Sequence, residues 1–164
     1  MSRRQVLAVL ASAAGLTPVL AWLAGRRGRP QATFPVARSD AAWREALTPA
    51  QYRILRDGAT ERPYSSDLNH ETREGTFVCA GCRRPLFSST HKYESGTGWP
   101  SFDAPLARAV LTRLDLSWLM IRTEVLCAGC GGHLGHCFAD GPRPTGQRYC
   151  INGLALDFRA ARAS

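Results

Sequence analysis

The stretch GTFVCAGCRRPLFS, residues 75–88, contains two short apolar runs separated by a cysteine-bearing turn. The runs Thr76–Cys79 and Pro85–Ser88 have the length and the bounding turn residues of β-strands. Four further runs of this kind follow, separated by Gly, Pro, Asp and Ser: Val110–Leu114, Trp118–Leu126, Arg148–Ile151 and Leu154–Phe158. The sequence therefore predicts a mainly β domain of short antiparallel strands.

The region before these strands has the pattern of a helix from Ser39 to Asp57. Within it, Thr48 and Gln51 have the spacing of a capping box, and Pro49 suits the first position of a helix. Gly58 fits a C-terminal stop. We expect one or two short helices at the start of the β domain.

The positive charge of the chain is concentrated at its N-terminus. The formal net charge is +8, and residues 1–29 hold five arginines and no acidic residue. The remainder has 16 basic and 13 acidic residues, a net charge of only +3. No cluster of basic residues in this remainder is interleaved with aromatic residues, so the sequence does not predict nucleic acid as a partner.

The N-terminal segment has the layout of an export signal. Ser2-Arg3-Arg4 precedes an apolar run from Val6 to Ala24, and Arg26-Arg27 follows it. The Ser-Arg-Arg-x-x-Leu pattern resembles a twin-arginine signal. The apolar run is close to the ~20 residues that span a bilayer as a helix, so cleavage and retention as an anchor are both open. A buried core helix is the alternative, but the segment lacks a polar face.

These features divide the chain into three parts. Residues 1–29 are predicted to be an export signal or anchor, residues 30–38 a linker, and residues 39–164 the main domain. The predicted location is the periplasm or the outer face of the cytoplasmic membrane, with membrane contact only through residues 5–24 if the signal is retained.

Four of the six cysteines form two Cys-Ala-Gly-Cys turns. A two-residue gap lets both thiolates of a turn face one ion, and two turns supply the four sulfur ligands of a tetrahedral zinc site. Such a site keeps no open position, so its role would be structural. Two disulfides, a redox-active pair and an iron site are the alternatives. The predicted metal ligands are Cys79, Cys82, Cys127 and Cys130.

Cys150 stands apart from these pairs, between Arg148 and Asn152. On a strand these three residues share one face, because side chains alternate with a period of two. A nearby cation favours the thiolate, which is the nucleophilic form of cysteine. We expect His133 and His136 to come from a neighbouring strand. The alternative is a buried structural cysteine, with histidines that bind zinc or fill the core.

The motifs of the chain, in their order, resemble the methionine-R-sulfoxide reductases of the B class (MsrB). The resemblance rests on the two Cys-x-x-Cys pairs, Ser-Gly-Thr-Gly-Trp-Pro-Ser-Phe at residues 95–102, His-Leu-Gly-His at 133–136, Asp-Gly-Pro at 140–142 and Arg-Tyr-Cys-Ile-Asn at 148–152. Leu47-Thr48-Pro49 and Arg62-Pro63-Tyr64 also fit this family. The resemblance extends over residues 45–158.

The resemblance implies a fold and a reaction. The fold is two antiparallel sheets forming an open β-barrel-like body (a β-tent) with short N-terminal helices and a structural zinc site of four cysteines. The reaction is the reduction of the R epimer of methionine sulfoxide, free or in proteins, through a sulfenic acid on a catalytic cysteine. The implied partners are oxidised proteins or peptides of the cell envelope and a thioredoxin-like thiol reductant.

The resemblance also implies a role for each site residue. The catalytic cysteine is Cys150, and two histidines serve the sulfoxide oxygen. An aromatic residue receives the methyl group of the substrate. The implied catalytic residues are Cys150, His133, His136, Arg148 and Asn152, and the implied substrate-binding residues are Trp99, Phe138 and Asp140.

One position departs from the family pattern. Many members have a resolving cysteine where this chain has Thr97. Either Cys137 takes over that role or an external thiol reduces the sulfenic acid directly, and Cys137 is otherwise a buried filler. A zinc-ribbon-like binding module without catalysis and a rubredoxin-like electron carrier are the rival classes, and neither needs the Trp99 loop or the histidine pair.

Overall fold

The structure, a computed structural model, describes residues 34–162. Two α-helices precede nine short strands within these residues. The helices are α1 (Asp40–Ala46) and α2 (Pro49–Leu55). The strands are β1 (Gly75–Cys79), β2 (Pro85–Ser88), β3 (Lys92–Tyr93), β4 (Ser101–Phe102), β5 (Val110–Asp115), β6 (Arg122–Cys127), β7 (His133–Phe138), β8 (Arg148–Ile151) and β9 (Leu156–Ala160).

The helical region consists of two helices of seven residues each instead of one continuous helix. The backbone is extended at Leu47 and Thr48, and this ends α1 before α2 begins. The predicted capping box is confirmed, because Thr48 accepts a hydrogen bond from the Gln51 backbone and Gln51 accepts one from the Thr48 backbone. Trp43 of α1 and Tyr52 of α2 are buried, so the helix faces that carry them pack against the core.

The strands form two antiparallel sheets, as predicted. One sheet has the order β2-β1-β9 and the other the order β3-β4-β8-β7-β6-β5. Neither sheet closes on itself within residues 34–162, so the barrel-like part of the prediction is not confirmed. The central position of β8 places Cys150 between β4 and β7.

An aromatic cluster joins the two sheets. Phe77 of β1 and Phe87 of β2 come from the small sheet, and Phe102 of β4 comes from the large one. The Phe102 ring centroid lies 5.0 Å from that of Phe77 and 4.3 Å from that of Phe87. All three rings are fully buried. Edge and stacked aromatic contacts of this kind add to the free energy of burial.

Two predicted strands begin later than the sequence pattern indicates. Residues Ser117–Leu119 and Gly153–Ala155 form short 3-10 turns, so β6 starts at Arg122 and β9 at Leu156. The apolar run continues through both turns, and hydrophobicity alone therefore does not separate turn from strand. The strands β3 and β4 have two residues each, too few for a pattern.

The export-signal prediction for residues 1–29 lies outside the described residues. At the described end of the predicted linker, the Val36 backbone N–H donates to the Gly129 carbonyl at 2.8 Å. Val36 also packs against the core, so the packed body begins before residue 39. Among the described residues, no helix has both the length and the apolar character needed to cross a bilayer.

Candidate active site

The central strands β7 and β8 bring the predicted nucleophile and one histidine together. In their antiparallel register, His136 is directly opposite Cys150, and Phe138 is directly opposite Arg148. Residues paired in this way project from the same face of a sheet, with Cβ atoms about 5 Å apart. These four side chains therefore share one face, as the alternation along each strand predicts.

A pocket of about 150 Å³ opens on this face. It combines a thiol, an imidazole, an amide and two aromatic rings. Of the sequence-predicted residues, Trp99, His136, Phe138, Cys150 and Asn152 line it. The other lining residues, which the sequence did not single out, are Thr60, Arg122 and Gly135.

Gly135 is required by the close approach of β7 to β8. A Cβ atom at this position would lie 2.1 Å from the backbone oxygen of Cys150. Such a distance is far below van der Waals contact, so any side chain here would push the two strands apart. The glycine of His-Leu-Gly-His thus allows β7, the strand that carries the histidines, to lie close to Cys150 on β8.

The environment of Cys150 has opposing effects on its thiol. The side chain is half-buried, and burial raises its pKa above the ordinary value. The hydroxyl of Thr97, whose Oγ1 lies 3.8 Å from Cys150 Sγ, and the positive charge of Arg148 both act to lower that pKa. Burial has the larger effect, so the resting thiol is protonated at neutral pH.

This balance predicts how the reactivity of Cys150 changes with pH. A thiol with a raised pKa gains thiolate continuously above neutrality, so its alkylation rate should rise about tenfold per pH unit between pH 7 and 9. Site-resolved mass spectrometry after iodoacetamide labelling measures this rate. A rate that reaches its plateau below pH 7 would show instead that Arg148 and Thr97 outweigh burial.

Arg148 acts beside the pocket and is not part of its lining. Its Nε and one terminal nitrogen donate to the two carboxylate oxygens of Asp140 at 2.8 and 2.9 Å. The guanidinium carbon lies 4.4 Å from the ring centroid of Phe138. Asp140 itself is largely exposed and does not line the pocket, so its prediction as a substrate-binding residue is not supported by the geometry. It orients Arg148 instead.

His136 is held by a carboxylate that the sequence did not reveal. Its Nε2 lies 2.8 Å from Asp115 Oδ2, which also accepts a hydrogen bond from Arg122 at 2.7 Å. A carboxylate only accepts, so Nε2 carries the hydrogen and the other ring nitrogen remains for a ligand. Burial lowers the pKa of His136, and the Asp115 contact partly offsets that effect.

His133 lies behind His136, outside the pocket lining. The two ring centroids are 5.5 Å apart. His133 is buried, and its Nδ1 lies 2.7 Å from the buried carboxylate of Glu124, which also contacts Arg113. Both histidines therefore have their own carboxylate partner, but only His136 faces the pocket.

Asn152 is positioned through Glu61, another residue that no sequence motif indicates. The Asn152 Oδ1 accepts the Glu61 backbone N–H at 3.0 Å, and its Nδ2 donates to the Leu134 carbonyl at 3.0 Å. The Glu61 carbonyl accepts the Trp99 indole N–H at 3.2 Å. One segment thus fixes both the amide and the tryptophan of the pocket.

The Glu61 carboxylate also holds the chain that follows the nucleophile. It is buried and accepts the backbone N–H groups of Gly153 and Leu154 at 2.5 and 2.9 Å.

The substitution Glu61→Gln tests this role. It removes the negative charge that accepts these two hydrogen bonds, and it leaves the side-chain NH₂ group of the glutamine facing a backbone N–H donor. We expect the free energy of unfolding to fall by about 2 kcal/mol, measured by urea denaturation. The exposed Glu45→Gln is the matched control, and equal effects of the two changes would contradict this role.

Cys137 is placed away from the nucleophile. It pairs with Tyr149 across the β7–β8 ladder, one position from the His136–Cys150 pair, so its side chain projects from the opposite face of the sheet. Its Sγ lies 3.2 Å from Gln147 Oε1. A Cys137–Cys150 disulfide would therefore need a rearranged strand, and the geometry favours the filler interpretation of Cys137.

The two Cys-Ala-Gly-Cys turns meet and form one cluster. Its four sulfur atoms all lie within 4.8 Å of one another, with 3.7 Å between Cys79 and Cys130 and 3.5 Å between Cys82 and Cys127. Tetrahedral zinc with bonds of about 2.3 Å separates its sulfur ligands by about 3.8 Å. The four thiols are free and fit this geometry, whereas a disulfide needs about 2.05 Å.

The cluster connects the two sheets. Cys79 is the last residue of β1 in the small sheet, and Cys127 is the last residue of β6 in the large one. Cys130 is tied to the helical layer as well, because Arg56 donates to its carbonyl at 3.1 Å. A metal held here would fix the start of β7, the strand that carries His136.

Comparison with known proteins agrees with this arrangement. A SelR domain profile matches residues 47–160. A protein of Bradyrhizobium diazoefficiens named peptide methionine sulfoxide reductase MsrB is 57% identical over 122 residues, which cover 74% of this chain and 88% of that protein. Proteins of the same name from Leptospira interrogans and Hahella chejuensis are 54% and 50% identical over 127 residues each, covering 77% of this chain and 97% and 91% of those proteins.

The SelR match extends over α2, both sheets, the cysteine cluster and the Cys150 pocket. The chain therefore belongs to the MsrB family of peptide methionine sulfoxide reductases.

Proposed function

We propose that this enzyme reduces the R epimer of methionine sulfoxide, free or within proteins, with Cys150 as the nucleophile. The observation that carries the proposal is the placement of Cys150 and His136 directly opposite each other on the face that forms the pocket. A pocket of about 150 Å³ is well below the size that encloses a whole small molecule, and it suits a single side chain.

The reaction transfers one oxygen atom from the sulfur of the substrate to the sulfur of Cys150. The Cys150 thiolate attacks the sulfoxide sulfur as the sulfoxide oxygen is protonated. The S–O bond of the substrate and the transient sulfur–sulfur bond then break as an S–O bond forms on Cys150, which gives methionine and a Cys150 sulfenic acid. The substrate sulfur is reduced by two electrons and the cysteine sulfur is oxidised by two, so no further reductant enters this step.

His136 supplies the proton in this scheme. Its Nε2–H is engaged by Asp115, so only an imidazolium has a second proton to donate at the other nitrogen. Transfer of the Cys150 proton to His136 produces the thiolate and the imidazolium together. Asp115 stabilises that imidazolium, and His133 supports the ring of His136 from behind.

Aromatic rings bind the methyl end of the substrate. Trp99 lines the pocket, and its indole N–H is fixed on the Glu61 carbonyl. Phe138 lines the other part of the pocket under the Arg148 guanidinium. A polarisable S-methyl group fits such rings better than a charged or strongly polar group does, so these residues orient the sulfur toward Cys150.

An external thiol regenerates the enzyme. All six cysteines of the chain are accounted for: four in the cluster, Cys137 on the opposite face, and Cys150. Two external thiols therefore reduce the sulfenic acid to the thiol, with formation of their own disulfide and one water. A thioredoxin-like protein or dithiothreitol supplies these thiols.

Mass spectrometry tests this chemistry. Enzyme exposed to methionine-R-sulfoxide without reductant should carry a sulfenic acid on Cys150 that dimedone traps, with about one adduct per chain. A Cys137–Cys150 disulfide in place of the adduct would contradict the proposed route. If the substrate is consumed and neither the dimedone adduct nor the disulfide forms, Cys150 is excluded as the nucleophile.

The proposed metal is zinc, bound by the four cysteines with a structural role. The four thiols close the coordination sphere, so the metal supplies stability and takes no part in the reaction.

The proposed location is the cell envelope, where the enzyme repairs oxidised proteins. This proposal rests on the signal-like pattern of residues 1–29. Cell fractionation of a tagged full chain tests it, and a purely cytosolic pool would contradict it.

A further inference from the structure

Four exposed apolar side chains are concentrated at the hairpin between β5 and β6. They belong to Leu116, Leu119, Met120 and Ile121, which are 62%, 104%, 45% and 82% exposed, and we call them the apolar tip. The segment from residue 116 to residue 121, LSWLMI, contains no charged residue. Contiguous exposed apolar patches on soluble proteins are candidate interaction sites, whereas single exposed apolar residues are not.

Leu119 is unfavourable in this position by two criteria. It is fully exposed, and its backbone φ of 56° lies in the left-handed region that favours glycine. Leucine there stabilises neither the turn nor the core. Non-glycine residues with this backbone conformation are concentrated at functional sites, which makes the turn a candidate contact surface.

The apolar tip is continuous with the active site. Asp115 and Arg122 are the residues that flank it, and they form an ion pair at 2.7 Å. Asp115 accepts the Ser117 backbone N–H at 2.9 Å and also contacts His136 at 2.8 Å. Arg122 lines the pocket. A single carboxylate therefore connects the base of the tip to the histidine opposite Cys150.

We propose that the apolar tip is the docking surface for the apolar residues that flank an oxidised methionine in an extended polypeptide. The inference rests on the proposed function and specifies its substrate class. The pocket of about 150 Å³ holds one side chain, so the rest of a polypeptide substrate lies on the surface beside it. The tip offers an apolar surface at that place, and apolar side chains next to the methionine along an extended polypeptide are stabilised by leaving water there.

Charge distinguishes this occupant from a lipid surface. Apolar segments that bind anionic membranes are accompanied by free Lys or Arg side chains. The two arginines on the hairpin strands β5 and β6 are already paired, Arg113 with Glu124 and Arg122 with Asp115. The hairpin therefore presents an apolar surface without unpaired cations on its strands, which suits apolar peptide side chains.

The test compares one small substrate with two peptides in assays of the full chain. The small substrate is N-acetyl-methionine-R-sulfoxide, and the peptides carry the same sulfoxide flanked by leucines or by serines. In the variant Leu116→Ser/Leu119→Ser/Ile121→Ser, kcat/KM for the leucine-flanked peptide should fall about tenfold through KM, equivalent to ~1.4 kcal/mol. Turnover of the small substrate should stay within about twofold.

Leu111→Ser is the matched control. Leu111 is 47% exposed on β5, four residues before Asp115 and about 13 Å along the strand, so its replacement should leave all three substrates unaffected. Leu119→Gly is the second variant, because glycine suits the left-handed backbone and retains the fold. It should weaken only the leucine-flanked peptide.

Each other outcome overturns the docking proposal in a distinct way. Equal losses for the small substrate and the peptides would show that the tip only supports His136. Unchanged kinetics with loss of binding to anionic phospholipid vesicles would assign the tip to a membrane, and unchanged kinetics with dissociation of a dimer in sedimentation would assign it to a second copy. No turnover of the small substrate by the unmodified chain would contradict the proposed function itself.

Discussion

Replacement of Cys150 by serine is expected to lower the turnover of methionine-R-sulfoxide by at least about three orders of magnitude. Serine has nearly the same size, but its hydroxyl remains protonated at neutral pH and is a weak nucleophile toward sulfur. The substitution leaves the β7–β8 register and the Arg148–Asp140 ion pair in place. The free energy of unfolding should therefore change by less than about 1 kcal/mol.

Cys137→Ser is the matched control for this prediction. Cys137 is half-buried like Cys150 and belongs to the adjacent strand, but it faces the opposite side of the sheet. Its replacement should retain most of the activity with dithiothreitol as reductant. Loss of activity in Cys137→Ser with retention in Cys150→Ser would reverse the assignment of the nucleophile.

Removal of the metal from the four-cysteine cluster is expected to lower the stability of the fold strongly. The four cysteines connect β1 of the small sheet, β6 of the large sheet and the turn before β7. Without the metal, four thiols remain close together with no bond among them. Stripping the metal, or replacing Cys127 by serine, should lower the free energy of unfolding by on the order of 3–5 kcal/mol.

Activity should decrease along with stability in the stripped protein, because β7 carries His136. Elemental analysis of the untreated chain should find about one zinc per chain, and urea denaturation measures the stability. The Cys137→Ser chain is again the control, with unchanged metal content. A stripped protein with the same denaturation midpoint as the untreated one would contradict the structural role of the cluster.

Local sequence patterns predicted the strands that have their own hydrophobic signal. The runs at β1, β2, β5 and β8 and the capping box at Thr48 were identified in this way. The same signal was misleading at residues 118–121, because an exposed apolar turn and a strand have the same composition. Exposure is a property of the folded chain, and no local pattern contains it.

The composition of the candidate site was predictable in part for a similar reason. The spacing of Arg148, Cys150 and Asn152 placed them on one face, and the register of β7 brings His136 to it. The partners of these residues come from distant parts of the chain: Asp115 and Glu124 from the β5–β6 hairpin, and Glu61 from the loop after α2. Such contacts depend on sheet order, which the sequence pattern does not specify.

The exposure of Asp140 and the orientation of Cys137 were not predictable for the same reason. Asp140 is adjacent to the site in sequence, but its carboxylate contacts Arg148 and lies outside the pocket lining. Cys137 follows His136 directly, yet adjacent residues on a strand face opposite sides of the sheet. Closeness in sequence is therefore a poor guide to which side chains line the pocket.

The Cys150 pocket is expected to reduce one epimer of methionine sulfoxide and not the other. The most direct test is to supply the full chain with the separate R and S epimers of a methionine sulfoxide peptide, with dithiothreitol, and to quantify methionine by chromatography. Only the R epimer should be consumed, and Cys150→Ser should lose that activity. Reduction of the S epimer, or no turnover of either epimer by folded, zinc-loaded protein, would contradict this expectation, and the latter result would favour a metal-stabilised binding module.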